Sequence, residues 1–500
     1  MRAGLTPSAT PARPANAGLL GDAEAKLRNG TLRRAEIPQE STRKAKKLLR
    51  WLVGSPPRLA VSSFASVILI GTVLLCVPLS SSERQWTHPV DALFTATSGV
   101  CVTGLTVKDM AVYWSLFGQV VILILIQSGG LGIMTLSAFL AVLVRRRRFS
   151  MGAEKTMQGV VQAEPLQDVW GLVKFICLFT LAAETLGWAA LLVAWRPDFE
   201  SFWKCAYFSI FHVVSAFCNA GFSLFSDNLV HYRGHVLVNL LICSLIVVGG
   251  IGFTVVKELI DYADWWLFSR RGKRQRLSTH CKLVLTVTGL LLLGGFAGVY
   301  LLESGSSLQG LPMKEKLLAS VFQSVTPRTA GFNTMLMSAS ALAPATILLL
   351  IVLMFVGGSP GGTAGGIKTS TLGVMIASVI ATLRGKGRAE MFSHAVPNET
   401  IHRVSTILLL SGSTLLLGIF ILLVTEKMAS FAEVAFECTS AFGTVGLSLG
   451  ITPGLTMWGK LVIASLMFVG RVGPVTLMLG AVRIVARVPY SYPEGSIMVG

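Results

Sequence analysis

Charge is scarce in this chain. Asp, Glu, Lys and Arg together make up 14% of its 500 residues, while 52% are hydrophobic, and the mean hydropathy is +0.66. Soluble domains carry about a quarter charged residues, so a water-soluble globular class is excluded. Cysteine is sparse too. The eight present (Cys76, Cys101, Cys177, Cys205, Cys218, Cys243, Cys281 and Cys438) form no CxxC pair and sit mostly one to an apolar stretch. Neither a zinc site nor a disulfide framework is indicated, and they are expected as small core residues. The seven histidines are scattered, without an HExxH or a paired acid site, which argues against an enzyme. Carboxylates are few within the apolar stretches, where proton-coupled solute transport would need them. Residues 1–40 lack the apolar core of a signal peptide and read as a largely disordered tail.

What the chain does have is apolar length. Runs of about 20 residues or more recur, enough to cross a hydrocarbon core of roughly 30 Å, and the short alternating segments of an outer-membrane barrel are missing. The class is an all-α integral membrane protein. A net charge of +18 invites a nucleic-acid partner, but its distribution argues against one. Basic residues gather at Arg43, Lys44, Lys46, Lys47 and Arg50, at Arg145–Arg148, at Arg270–Arg276, and at Arg384, Lys386 and Arg388. Basic clusters directly after long apolar stretches mark cytoplasmic ends. Attraction to anionic lipid or to an acidic cytosolic partner is a second use of the same charge. Paired stretches then run outward and back at about 58–80 and 113–144, 170–195 and 235–268, 278–303 and 343–382, and 401–426 and 455–486. That makes eight spans, with both termini cytoplasmic.

Between the members of each pair lies a shorter stretch of re-entrant length. The four read FTATSGVCVTGLTV from Phe94, FHVVSAFCNAGFSL from Phe211, FQSVTPRTAGFNTM from Phe322 and FECTSAFGTVGLSL from Phe436. Each begins with Phe and carries a small or polar pair, then Gly, then Leu or Phe. The glycines Gly104, Gly221, Gly331 and Gly446 are 117, 110 and 115 residues apart. A second landmark keeps step 24 to 28 residues further on: Gly129-Gly130, Gly249-Gly250, Gly357-Gly358 and Gly470-Arg471. Two marks in register across four copies identify an internal duplication. The repeat unit is a helix–pore loop–helix.

A non-helical loop at membrane depth leaves carbonyls unpaired, and it survives only where protein surrounds it or it lines a watery path. Four such loops around an axis would place rings of carbonyls where they can replace the water shell of a dehydrated monovalent cation. Glycine suits such a loop, because aiming successive carbonyls inward needs backbone angles that a Cβ forbids. A short helix before each loop, such as Phe208–Phe217, would point its negative C-terminal end at the path. The expected filter residues are Val102, Thr103 and Gly104; Asn219, Ala220 and Gly221; Thr329, Ala330 and Gly331; and Thr444, Val445 and Gly446. The expected fold is thus four tandem repeats, eight transmembrane helices, around a pseudo-fourfold pore.

At these motifs the chain resembles the Ktr/Trk/HKT superfamily of potassium transporters, and most of all the Ktr membrane subunit. The resemblance covers about residues 57–500. It rests on VTGL (Val102–Leu105), QSGGLGIMT (Gln127–Thr135), SAFCNAGF (Ser215–Phe222), TPRTAGFNT (Thr326–Thr334), GGSPGGTAGGIKT (Gly357–Thr369) and GRVGPVT (Gly470–Thr476). It implies a single-chain pore, a homodimer, and a cytosolic nucleotide-binding regulatory ring as partner, with the nucleotide held only by that partner. It implies potassium as the transported ion and sodium as a possible activator, in the plasma membrane. In the family's plant branch, serine at the first filter glycine goes with sodium preference. All four positions here are glycine, which favours potassium.

The third inward stretch is abnormal. Gly357, Gly358, Ser359, Pro360, Gly361, Gly362, Thr363, Ala364, Gly365 and Gly366 put six glycines and a proline amid an apolar span, which no ordinary helix survives. With Lys368-Thr369 the segment is superficially like a Walker A loop, but Ile367 spoils the spacing and the preceding strand is missing. A hinge or packing break is one reading. An intramembrane gating loop beneath the filter is the other, and the resemblance supports it. Arg471 replaces a glycine at the same level of the fourth repeat. A charge at that depth is costly and normally marks function. It acts either as an electrostatic barrier to cations or through an interhelical salt bridge or carbonyl contact. Arg328 is expected to brace the third loop, and Lys368 is a loop anchor or a cytoplasmic-end charge.

The domain plan is a basic tail at 1–56, repeats at 57–150, 151–276, 277–390 and 391–488, and a C-terminal tail at 489–500. By the resemblance, Tyr490–Gly500 packs near a dimer interface. The rivals are a secondary transporter of another small solute, which would favour inverted repeats, and a sodium- or ammonium-permeable channel.

Overall fold

Runs rich in Leu, Ile, Val and Ala, with proline confined to first turns, satisfy their backbone most readily as helix. The computed structural model describes residues 56–132, 169–268 and 276–481. The first two basic clusters, nearly all of the third, and Tyr490–Gly500 lie outside them. On the division expected from the sequence, the first repeat holds α1 (Pro56–Cys76), α2 (Pro89–Val100) and α3 (Leu116–Gly130). The second holds α4 (Val169–Trp195), α5 (Phe202–Phe217), α6 (Val236–Gly250) and α7 (Phe253–Phe268). The third holds α8 (Thr279–Glu303), α9 (Met313–Val325), α10 (Pro344–Phe355) and α11 (Thr369–Leu383). A small hairpin, β1 (Glu390–Met391) and β2 (His394–Ala395), leads to α12 (Asn398–Thr425), α13 (Phe431–Gly443), α14 (Met457–Val472) and α15 (Pro474–Ala481).

Helix starts follow the local chemistry. The Ser115, Ser278 and Thr456 hydroxyls accept hydrogen bonds from the backbone N–H of Gly118, Cys281 and Gly459. Ser430 and Glu433 close a capping box on α13. Among the described residues, three helices are long and apolar enough to cross a membrane alone: Val173–Asp198, Thr279–Glu303 and Asn398–Thr425. Their outward faces are apolar and exposed, as at Leu181, Leu186, Leu293, Leu416 and Phe420. Water would not tolerate that surface, and lipid does.

Two expectations need correction. The stretch 235–268 is not one helix: α6 and α7 meet at 104°. The break falls at Gly252, whose φ of +98° is open to glycine and costly for other residues. Breaking is therefore not peculiar to the third repeat. Gly132 (φ +76°) follows α3, and Gly473 (φ +90°) separates α14 from α15. Each of these glycines lies three residues after the first position of the second landmark, a repeated helix stop that the sequence displays as GGxG or GRxG. Second, the short helix of the second repeat starts at Phe202 rather than Phe208, because the apolar pattern continues through Trp203, Cys205 and Ala206. Cys177 is exposed and Cys76 half-buried, so only the other six cysteines are core residues.

The core forms around the pore-loop motifs, whose leading phenylalanines Phe94, Phe211, Phe322 and Phe436 are all buried. Packing runs in a cycle. Helix α3 packs on α5, α6 on α9, α10 on α13, and α14 returns to α2. An ion pair, Lys460 Nζ to Asp91 Oδ1 at 2.7 Å, ties α14 to α2 where fourth repeat meets first.

Candidate functional site: four loops meeting at their glycines

Each short helix hands the chain to a loop with the same unusual backbone. Val102, Asn219, Thr329 and Thr444 take φ of +56°, +61°, +73° and +51°, and the glycines two residues on take +90°, +70°, +75° and +93°. Left-handed backbone is costly for β-branched Val and Thr, and it persists only where the surroundings over-determine it. Hydrogen bonds supply that constraint. The N–H of Thr103, Ala220 and Val445 donates to the carbonyls of Ser98, Ser215 and Ser440 at 2.8, 2.7 and 2.8 Å, while in the third loop Ala330 N–H donates to Thr326 O at 2.9 Å.

Hydroxyls four residues after each leading Phe complete the brace. Ser98 and Ser440 accept from Gly104 and Gly446 N–H, each at 3.1 Å. Ser215 and Thr326 instead donate to Phe222 O (2.8 Å) and Phe332 O (2.5 Å). The position just after the Phe reaches further out. His212 Nδ1–H donates to Phe208 O, and its Nε2 meets Ser223 Oγ (3.0 Å) and the Leu224 N–H (3.3 Å). Glu437 accepts from Ser448 Oγ at 2.7 Å and from Thr452 Oγ1. Sequence reasoning missed both sets. For the first set the signal was there: a hydroxyl four residues after every Phe.

The four glycines close on one another in chain order. A Cβ on Gly104 would lie 2.2 Å from Ala220 O; on Gly221, 2.5 Å from Ala330 O; on Gly331, 2.5 Å from Val445 O; and on Gly446, 2.1 Å from Thr103 O. Each loop thus abuts the next, and the fourth abuts the first. All four glycines line one cavity of about 470 Å³, with Asp109, Asp227, Asn228 and Ser448 on its wall. The Thr103, Thr329 and Thr444 hydroxyls have no hydrogen-bond partner among the described residues.

Next to the left-handed residues Asn219 and Thr444 lies the segment Gly357–Gly366. A Cβ on Gly365 would fall 2.0 Å from Thr444 Oγ1. The segment docks into the break between α6 and α7: Ser359 and Thr363 N–H donate to Gly250 O (3.0 Å) and Gly249 O (3.1 Å), and Phe253 N–H donates to Gly361 O (3.1 Å). Two non-helical stretches thereby satisfy each other's backbone, which neither could do alone. Thr363 Oγ1 adds a bond to Phe217 O at 3.2 Å, and Ser359 Oγ lies 2.9 Å from Thr369 Oγ1.

Three cations surround this segment. Arg471 donates through Nη1 to Thr363 O and through Nη2 to Gly129 O. Of the sequence alternatives, carbonyl contact is the one its geometry displays, and it makes no ion pair among the described residues. Arg328 Nη2 donates to Gly357 O at 3.1 Å. Lys368 Nζ reaches Ala364 O at 2.7 Å, within its own loop.

Helices with lipid-compatible faces, gathered around loops that meet at their glycines, define a membrane-embedded transport protein. The profile of a cation transport protein family, TrkH, matches residues 57–486. The chain is 40% identical over 456 residues to the potassium/sodium uptake protein NtpJ of Enterococcus hirae, covering 89% of this chain and 97% of that one. It is 40% identical over 458 residues to the Ktr system potassium uptake protein B of Bacillus subtilis, covering 91% and 99%, and 37% identical to its namesake in Vibrio alginolyticus. The crystal structure of the potassium transporter TrkH from Vibrio parahaemolyticus shares the fold, with a TM-score of 0.62, 19% identity and 84% coverage of both chains. The chain belongs to the Trk/Ktr family of multi-pass cation transport proteins, which are transporters and not enzymes.

Proposed function

We propose that this protein takes up potassium across the plasma membrane through a pore that one chain forms from four pseudo-symmetric repeats. Eight spans would cross the bilayer, each of the broken inward stretches counting as one, with both termini in the cytoplasm and the repeats bounded as the sequence divides them. The observation that carries the reading is the cyclic contact of Gly104, Gly221, Gly331 and Gly446. Backbone so closely apposed, with left-handed residues in phase, suits stacked carbonyls that coordinate a dehydrated monovalent cation. The filter would be Val102–Gly104, Asn219–Gly221, Thr329–Gly331 and Thr444–Gly446. The names of the 40% identical relatives, uptake proteins for potassium or potassium and sodium, agree with that ion class.

Gly357–Gly366 would be the gate, held beneath the filter by Arg471 and Arg328 and tightened by Lys368. Displacing it would break the bonds to Gly249 and Gly250, so opening has a definite cost that a partner can supply. The partner would be the cytosolic nucleotide-binding ring of Ktr systems, acting on a homodimer, with sodium as activator. The test is uptake in a bacterium lacking its own potassium systems, with rubidium and sodium as tracers, with and without the regulatory subunit. Wild-type protein should restore growth at low potassium. Gly104→Ser should lower the potassium-to-sodium ratio, and an unchanged ratio would remove Gly104 from the filter.

A further inference from the structure

The basic cluster after α11 is unused by the pore, and it sits at the end of an apolar groove. The groove, of about 320 Å³, runs between α8 and α11, lined by Leu283, Val287 and Leu290 on one side and Gly373, Ile376 and Ile380 on the other. Ile376, Ile380 and Leu290 remain 47%, 43% and 65% exposed. Arg384, Lys386, Glu390 and Phe392 form its mouth. From Gly373 to the C-cap Arg384 the groove follows the end of α11 over twelve residues, about 16 Å of helix, close to one leaflet, half of a hydrocarbon core of roughly 30 Å.

The charges at the mouth are not equivalent. Lys386 Nζ binds Glu390 Oε2 at 2.6 Å, and this hydrogen bond and charge hold the Glu390 carboxyl below its usual range. Arg384 and Arg388 are exposed and have no side-chain hydrogen bond or ion pair among the described residues. The hairpin turn beyond them is built on Phe392 and Ser393 at φ +48° and +64°, backbone that L residues rarely adopt. It brings an aromatic ring to the groove mouth where a turn of this kind would ordinarily carry Asn-Gly.

We infer that this groove binds one anionic phospholipid, its acyl chain along α8 and α11 and its phosphate at Arg384, with Arg388 four residues further along the chain. Length matched to a leaflet, an apolar floor and the unpaired Arg384 at one end are the complement of such a molecule, and that arginine would serve a zwitterionic lipid less well. The inference rests on membrane embedding alone. It is independent of the filter and the gate, so transport results leave it standing or falling on its own.

The experiment is native mass spectrometry of the purified full chain in detergent, titrated with phosphatidylglycerol and, separately, with phosphatidylcholine of the same acyl chains. The unpaired Arg384 at the mouth predicts tighter binding of phosphatidylglycerol by roughly 5-fold. Arg384→Gln with Arg388→Gln should erase that preference. Glu390→Gln, by freeing Lys386, should strengthen it. Ala377→Phe, which fills the groove, should weaken retention of both lipids. Equal binding of the two lipids, or a preference that survives the double arginine variant, would overturn the assignment. So would an Ala377→Phe protein that loses dimer but retains lipid, which would give the groove to a second copy of the chain.

Discussion

Replacing Arg471 by Met tests how the loop is held. The side chain joins Thr363 O in the loop to Gly129 O at the end of α3. Only the first bond restrains the loop; the second fixes the guanidinium against the first repeat. Losing one charge-assisted hydrogen bond removes about 1.5–3 kcal/mol from the held state. At 1.4 kcal/mol per tenfold, the open fraction should rise by roughly 10- to 150-fold while it remains small. Rubidium uptake, normalised to protein in the membrane, should rise accordingly and depend less on the regulatory subunit. Arg471→Lys separates latch from electrostatic barrier, because it keeps the charge but cannot fork between two carbonyls. A latch puts Lys between wild type and Met, whereas a barrier of charge alone makes Lys equal to wild type. Met uptake at the wild-type level would refute both.

Other perturbations probe separate links. Gly252→Ala would set a Cβ 2.5 Å from Pro360 O at a φ of +98°. A left-handed L residue costs about 1–2 kcal/mol before the contact is counted, so the melting temperature in detergent should fall by a few degrees. Gly289→Ala, with nothing within 4 Å, should not lower it. Glu437→Leu takes the carboxylate acceptor from the buried Thr452 hydroxyl and from Ser448 on the cavity wall, at about 1–3 kcal/mol for the buried group at most, since Thr452 Oγ1 still reaches Ser448 Oγ at 2.9 Å. Potassium-to-sodium selectivity should drop, and Glu437→Gln, which keeps one acceptor, should drop it less.

Much of the site was legible because repetition amplifies weak signals. One glycine after a small residue means little, but Gly104, Gly221, Gly331 and Gly446 in phase with a second landmark identify the loops before any coordinates. The breaks at Gly132, Gly252 and Gly473 carried a repeated signal as well, and they were hidden by the apolar residues on both sides, which read as continuous span. The Glu437 and His212 contacts were not legible, since nothing in a buried polar residue says which loop it will bond.

Taken alone, the sequence determined the helical membrane class, the family and the loop motifs, because hydropathy, motif spacing and backbone permissiveness are properties of neighbours along the chain. The tertiary structure decided which parts satisfy one another. Gly250 O finds Ser359 N–H across 109 residues, Arg471 finds Thr363 O across 108, and Lys460 finds Asp91 across 369. Inside a membrane every unpaired polar group must find a partner. Only the folded packing of helices and loops against one another settles where that partner is.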